Sequence, residues 1–206
     1  MKKILKRLEI NHSILESNIN EIIDIGKEVM VNGDNKYSNT QINKIVEGLF
    51  IRGCSYWEHF IADEIPLLIL LEPTFFYEEL ELKNTKLDFD AIKSIIYFEK
   101  IRDLYDIDKA SKFCGKYVKG QYNIFSSINK ERKALFKFAY TIRNYLAHQS
   151  QLSKKKVQDV YKHIYNNKNP IKLDKLLISH RGKHYCDLLH NYCLISILMK
   201  KTLRSL

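Results

Sequence analysis

KALFKFAYTIRNYLAHQS (residues 133–150) reads as a single amphipathic helix and sets the frame for the rest of the chain. At about 100° per residue, Leu135, Phe138, Ala139 and Leu146 fall within about 60° of Ile142 and make one apolar stripe. Lys133, Lys137, Asn144 and His148 fall nearly opposite, and Arg143 sits on the flank at about 100° from Ile142. A histidine satisfied inside a core would lie on the stripe, and His148 does not. Two readings stay open for that polar end: a solvated face whose terminal histidine meets the helix macrodipole, or a site that uses Arg143, Asn144 and His148 together.

Working outward, the same period recurs. Ile4, Leu8, Leu15, Ile19, Ile22, Ile23 and Val29 predict a helix over 3–29, and VNGDNKYSN (31–39) carries turn-forming residues. Ser38 or Asn39 then caps a second helix to about Leu71, closed off by Glu72-Pro73. An acidic connection follows at 73–87. Asp88 or Asp90 opens a third helix to about Tyr105, with a short helical piece at 107–118. Ser126 or Ser127 caps the motif helix over about 128–149. A basic continuation runs from Lys154 to about Tyr165, NNKNPIKLDK (166–175) breaks it, and a final apolar helix spans 183–203.

With 7 Gly and 3 Pro in 206 residues, breakers are few, which favours helices over many short strands. The expected fold is all-α, an up-and-down bundle forming one domain over 1–206. Its parts are an N-terminal helix (1–30), a core with the motif helix (39–149), a small basic insertion (150–182) and a C-terminal helix (183–205). The most apolar run, Ile65 to Leu71, falls far short of the ~20 residues a membrane helix needs.

Charge is segregated along the chain. Residues 1–108 hold 13 Lys and Arg against 20 Asp and Glu, a balance of −7, while residues 109–206 hold 21 against 4, a balance of +17. Such a field attracts a polyanion, with nucleic acid the natural candidate and an acidic protein the alternative. Lys133, Lys137, Lys154, Lys155 and Lys156 are the expected phosphate contacts. Tyr140 and Tyr145 flank the motif and could stack bases, or could simply pack.

Cys54, Cys114, Cys186 and Cys193 form no CxxC pair, and MKKILKRLEI meets Glu9 before any apolar run develops. Reduced thiols in a cytoplasmic protein are expected. His180, His184, Cys186, His190 and Cys193 are zinc-type ligands, but Gly182 interrupts them and no C-x₂₋₄-C element accompanies them, so no metal is expected. No phosphate loop, dinucleotide fingerprint or HExxH motif is present.

RNYLAH (143–148) resembles the R-N-x-x-x-H signature of HEPN domains, helical nucleotide-binding modules of higher eukaryotes and prokaryotes. SYWEHFI (55–61) resembles the aromatic and acidic stretch on an earlier helix of that family. The resemblance implies a ribonuclease that needs neither metal nor cofactor, acting as a homodimer with a composite site. It implies Arg143, Asn144 and His148 as active-site residues. Histidine exchanges protons near neutrality and can activate a 2′-OH or protonate a leaving 5′-oxygen, while arginine holds the phosphate and its developing charge. Asn144 can orient His148 one turn on. Glu58 is a candidate to fix the Arg143 guanidinium, although a solvated carboxylate or a structural ion pair elsewhere serves equally, and Arg52 is open in the same way. The family also implies a toxin or antiphage defence effector, with an antitoxin or defence-system partner. The competing functions are a non-catalytic module binding RNA or protein, and a purely structural dimerisation domain.

Overall fold

Ser38 and Gln41 fix the start of the longest helix by a reciprocal cap. The Gln41 side-chain oxygen accepts from Ser38 N at 2.8 Å, and Ser38 Oγ accepts from Gln41 N at 3.4 Å. The computed structural model describes residues 1–82, 86–98, 104–166 and 172–205, and the described residues are helical, with no strand among them. The helices are α1 (Lys2–Asn32), α2 (Asn39–Leu71), α3 (Thr74–Glu79), α4 (Phe89–Phe98), α5 (Ile107–Tyr117), α6 (Lys130–His148), α7 (Gln151–Tyr165) and α8 (Ser179–Arg204). The all-α class expected from the sequence is what the chain adopts.

The chain divides into two compact units. The first holds residues 1–15, 57–129 and 195–206. Its core gathers Leu8, Leu15, Trp57, Phe60, Ile61, Leu68, Phe76, Ile92, Ile107 and Met199. Trp57 keeps its indole N–H satisfied by donating to the Tyr105 carbonyl at 3.3 Å. Within this core α1, α2 and α8 meet at a buried polar chain. His12 Nδ1 lies 2.7 Å from Ser196 Oγ, and Asn11 Nδ2 donates to Glu64 Oε2 at 2.8 Å. His12 Nε2 and Glu64 Oε1 stand 3.0 Å apart, close enough for an ion pair though not aligned as a hydrogen bond.

The second unit holds residues 16–56 and 130–194. Here α8 presses against α1 and α2 at two glycines. The Tyr185 ring lies directly over Gly26, where any Cβ would collide with it, and its hydroxyl donates to the Ile22 carbonyl at 2.5 Å. Leu189 sits over Gly53, 2.6 Å from where a Cβ would stand. Phe136 of α6 meets Tyr192 of α8 edge-on, with ring centroids 5.4 Å apart.

Several local expectations shift. Asp88, not Asp90, caps α4, accepting from Ala91 N at 2.8 Å. The rest of the helix expected to reach Tyr105 runs into 99–103, outside the described residues. The connection at 73–87 contains the short α3. Ser126 and Ser127 do not cap α6. They lie in a 3₁₀ turn (Ile124–Ser127) and donate back to the Asn123 and Ile124 carbonyls at 2.7 Å each, so α6 begins later, at Lys130. The insertion expected at 150–182 opens with a regular helix, α7, and α8 starts four residues early. The break at 166–175 lies partly outside the described residues, which resume with a 3₁₀ turn at Leu173–Lys175.

Candidate functional site

The motif sits where α6 gives way to α7. Phe136, Phe138, Ala139 and Ile142 are the buried residues of α6, while Leu135 and Leu146 are only half-buried. At about 100° per residue, adding Phe136 turns the buried arc toward Arg143's flank. This side chain is half-buried, as are Asn144 and Tyr145, and His148 is exposed.

The helix stops at His148 for a local reason. Gln149 takes left-handed backbone, φ 47°, and its N–H bonds the Tyr145 carbonyl at 2.7 Å. Ser150 then caps α7, its Oγ accepting from Ser153 N at 3.1 Å. Val157 and Tyr161 turn inward from α7, with Tyr161 packing 6.0 Å from Phe138 between ring centroids. Lys154, Lys155 and Lys156 are exposed on its opening turns. His148 therefore stands at the corner of an α6–α7 hairpin, followed in sequence by three exposed cations.

Arg143 Nη1 donates to Asn144 Oδ1 at 3.1 Å. Among the described residues no hydrogen bond joins Asn144 to His148, so the amide holds the guanidinium rather than the imidazole. Lys137 is exposed, and Lys133 and Tyr140 are half-buried. Arg52 is exposed and donates from Nε to Tyr56 Oη at 3.0 Å. Glu58 is half-buried on α2 and belongs to the first unit, whereas the motif belongs to the second.

Reading the motif helix alone passes over a group on α2. Lys44 Nζ donates to Glu47 Oε2 at 2.9 Å, and Asn43 Nδ2 to Glu47 Oε1 at 3.0 Å. The Glu47 hydrogen bond raises the Lys44 pKa above its ordinary value, with the Tyr145 phenol adding to the same direction. Lys44 is thus an anchored cation of α2. Its only sequence signal is the i,i+3 spacing of Lys44 and Glu47.

The zinc-type residues do not converge. His184 is buried, with Nδ1 3.2 Å from Tyr165 Oη, and Cys193 is buried beside the Glu16 carbonyl. Cys186 is half-buried, its thiol pKa raised chiefly by burial, and His190 is exposed. The His180 side chain lies outside the described residues. Among the described residues no three His, Cys, Asp or Glu side chains are grouped to hold a metal ion. Among them, too, no helix is long and apolar enough to cross a membrane.

The chain matches no family model, no curated protein and no solved structure.

Proposed function

We propose that this chain is a metal-independent endoribonuclease of the HEPN type, working as a homodimer and serving as a toxin or antiphage defence effector. The observation that carries the reading is the end of α6, where an exposed His148 closes the helix that holds the Arg143–Asn144 pair.

The chemistry follows from the residue types. Arg143, its guanidinium held by Asn144, binds the scissile phosphate and stabilises the charge gathering on its oxygens as the 2′-oxygen attacks. His148 is free to turn toward the 2′-OH as base or toward the departing 5′-oxygen as acid. Attack forms the 2′-O–P bond and breaks the P–O5′ bond, giving a 2′,3′-cyclic phosphate and a 5′-hydroxyl. Lys133, Lys137 and Lys154 to Lys156 draw the strand in, while Tyr140 and Tyr145 offer ring faces for unstacked bases. The reading places the protein in the cytoplasm, with RNA as substrate and an antitoxin or defence-system protein as partner.

The test is incubation of the purified protein with total RNA in EDTA, followed by mapping of the ends. Cleavage that leaves cyclic phosphates and 5′-hydroxyls supports the reading. Intact RNA that is nevertheless bound would favour a non-catalytic RNA-binding module instead, and cleavage abolished by EDTA would rule out the metal-independent route.

A further inference from the structure

Within the first unit α1 and α8 lie side by side, and two contacts give their direction. His12 Nδ1 lies 2.7 Å from Ser196 Oγ, and Glu9 Oε1 lies 3.7 Å from Arg204 Nε. The later residue of α8 meets the earlier residue of α1, so the helices are antiparallel. Both bury one side in the same core, α1 through Leu8, His12 and Leu15, α8 through Ser196, Met199 and Leu203. Their opposite sides therefore face outward together.

On α1 that outer side carries the exposed Lys3, Lys6, Ile10 and Ile14, within about 80° of one another on an ideal helix. On α8 it carries the exposed Ile197, Lys201 and Arg204, within about 60°. Cations come first on α1 and last on α8. Antiparallel packing thus gathers the cations at one end of the face and the isoleucines at the other. Ile10, Ile14 and Ile197 are 50%, 55% and 48% exposed.

The chain itself makes little use of these side chains. Among the described residues Lys3, Lys6 and Lys201 make no ion pair, and Arg204 reaches only Glu9. Lys2 and Lys3 stand in the first turn of α1, where the helix dipole favours acids, and no acid occupies that turn. Single exposed apolar side chains are ordinary on a surface, but three on one face beside a cluster of cations make a patch suited to a partner.

We propose that this face docks on an anionic lipid bilayer, with the lysines against the headgroups and the three isoleucines at the acyl boundary. Basic side chains gain from the negative surface potential of such a bilayer, and apolar side chains beside them anchor by burial. A bilayer uses both halves of the face. RNA offers phosphates to the lysines, but its unstacked bases are met by aromatic rings rather than by isoleucines. The face shares no residue with the Arg143–His148 end of α6. Its readout is lipid binding, independent of RNA cleavage.

The full-length chain is sedimented with vesicles of phosphatidylcholine alone and of phosphatidylcholine with phosphatidylserine. The expected result is binding to the serine-containing vesicles, at least about tenfold tighter than to phosphatidylcholine alone and weakening as salt rises. Lys3→Gln/Lys6→Gln/Lys201→Gln should lower the affinity about a hundredfold, or about fivefold for each lysine removed. Ile10→Ser/Ile14→Ser, which leaves the net charge unchanged, should lower it at least about tenfold. Lys154→Gln/Lys155→Gln/Lys156→Gln removes the same charge from α7 and should lower it less than about fivefold. The replaced side chains are exposed, and each variant is checked for native helicity. Failure to bind the serine-containing vesicles overturns the inference. So does equal loss from the two lysine triplets, or an Ile10→Ser/Ile14→Ser chain that binds as wild type does. An α1–α8 lysine variant that loses RNA affinity but keeps vesicle affinity also overturns it, and makes the face an RNA contact.

Discussion

Arg143 and Asn144, adjacent on α6, are tied side chain to side chain at 3.1 Å, and the exposed His148 one turn later is left outside that pairing. Consecutive helical residues do not ordinarily face each other. The contact is possible because the arginine side chain is long enough to reach the neighbouring amide. In the proposed ribonuclease this separates two tasks: a held cation for the phosphate, and a mobile imidazole for the proton.

That division makes His148→Ala a clean probe. The side chain is exposed, so its loss should change unfolding free energy by no more than about 0.5 kcal/mol. RNA cleavage should disappear. Denaturant melts and a cleavage assay on one preparation check both, and a folded His148→Ala chain that cuts RNA at the wild-type rate removes the mechanism.

Lys154, Lys155 and Lys156 stand exposed on the first turns of α7. Phosphates neutralised by these side chains release counterions, so RNA affinity should fall steeply with salt. Replacing all three with Gln should flatten the plot of log affinity against log salt, by close to one unit of slope for each phosphate no longer neutralised. An unchanged slope would move the RNA path to Lys133 and Lys137.

What the sequence made legible was periodicity. The apolar stripes of α1, α2, α6 and α8 are long enough to declare themselves, and the start of α2 was legible to within Ser38 or Asn39, between which the Ser38–Gln41 reciprocal cap decides. Ser126 and Ser127 misled because a serine before an apolar run can equally close a 3₁₀ turn, and nothing local separates the two outcomes. The residues of the motif could be named from the chain, but the partner of Asn144 could not. On an ideal helix the i+4 histidine looks the nearer choice, and only the flexibility of the arginine side chain overrides it. The polar chain of His12, Glu64 and Ser196 was invisible, since it depends on three helices distant in sequence.

That buried chain carries its own prediction. His12, Glu64 and Ser196 are each fully inaccessible, so removing one member leaves buried polar atoms of the others without a partner. Glu64→Leu alone should cost about 1–3 kcal/mol of unfolding free energy, because the Asn11 amide and the His12 ring lose their buried partner. The double change His12→Leu/Glu64→Leu should recover much of that loss, because an apolar pair leaves fewer unpartnered polar atoms to bury. Urea melts of wild type, His12→Leu, Glu64→Leu and the double variant decide it, and simple additivity of the two single changes would mean the groups are not coupled.

Cys114 bears on the alkaline limit. Its thiol is fully buried, and burial pushes its pKa well above the ordinary value, with the Glu64 carboxylate adding to the same direction. The folded chain keeps this proton after the unfolded chain has lost it. The stabilisation is therefore fully present below the unfolded thiol's value of about 8.5 and is lost progressively as pH rises above it, at most about 1.4 kcal/mol per pH unit. Cys114→Ala should make the fall in stability between pH 8.5 and 10 shallower. An identical slope in both proteins would show that Cys114 does not set it.

The proposed site needs two chains, and helix geometry says why. Arg143 and His148 are five residues apart, which places them about 140° apart around α6. One helix aims them at a single phosphate only with difficulty. A two-fold axis passing near the exposed end of α6 would bring both copies of each residue into one cleft, and the cations gathered there would repel one another until RNA entered between them. Mixing distinguishes this from two independent sites. Wild-type chains are co-expressed with an excess of His148→Ala chains carrying a different tag, and the heterodimer is isolated through both tags. A composite site that uses both imidazoles predicts nearly complete loss of cleavage in the heterodimer. If the heterodimer retains half the wild-type rate, or if a monomeric variant cuts RNA as fast as the dimer, each chain holds a complete site and the two-chain arrangement is wrong.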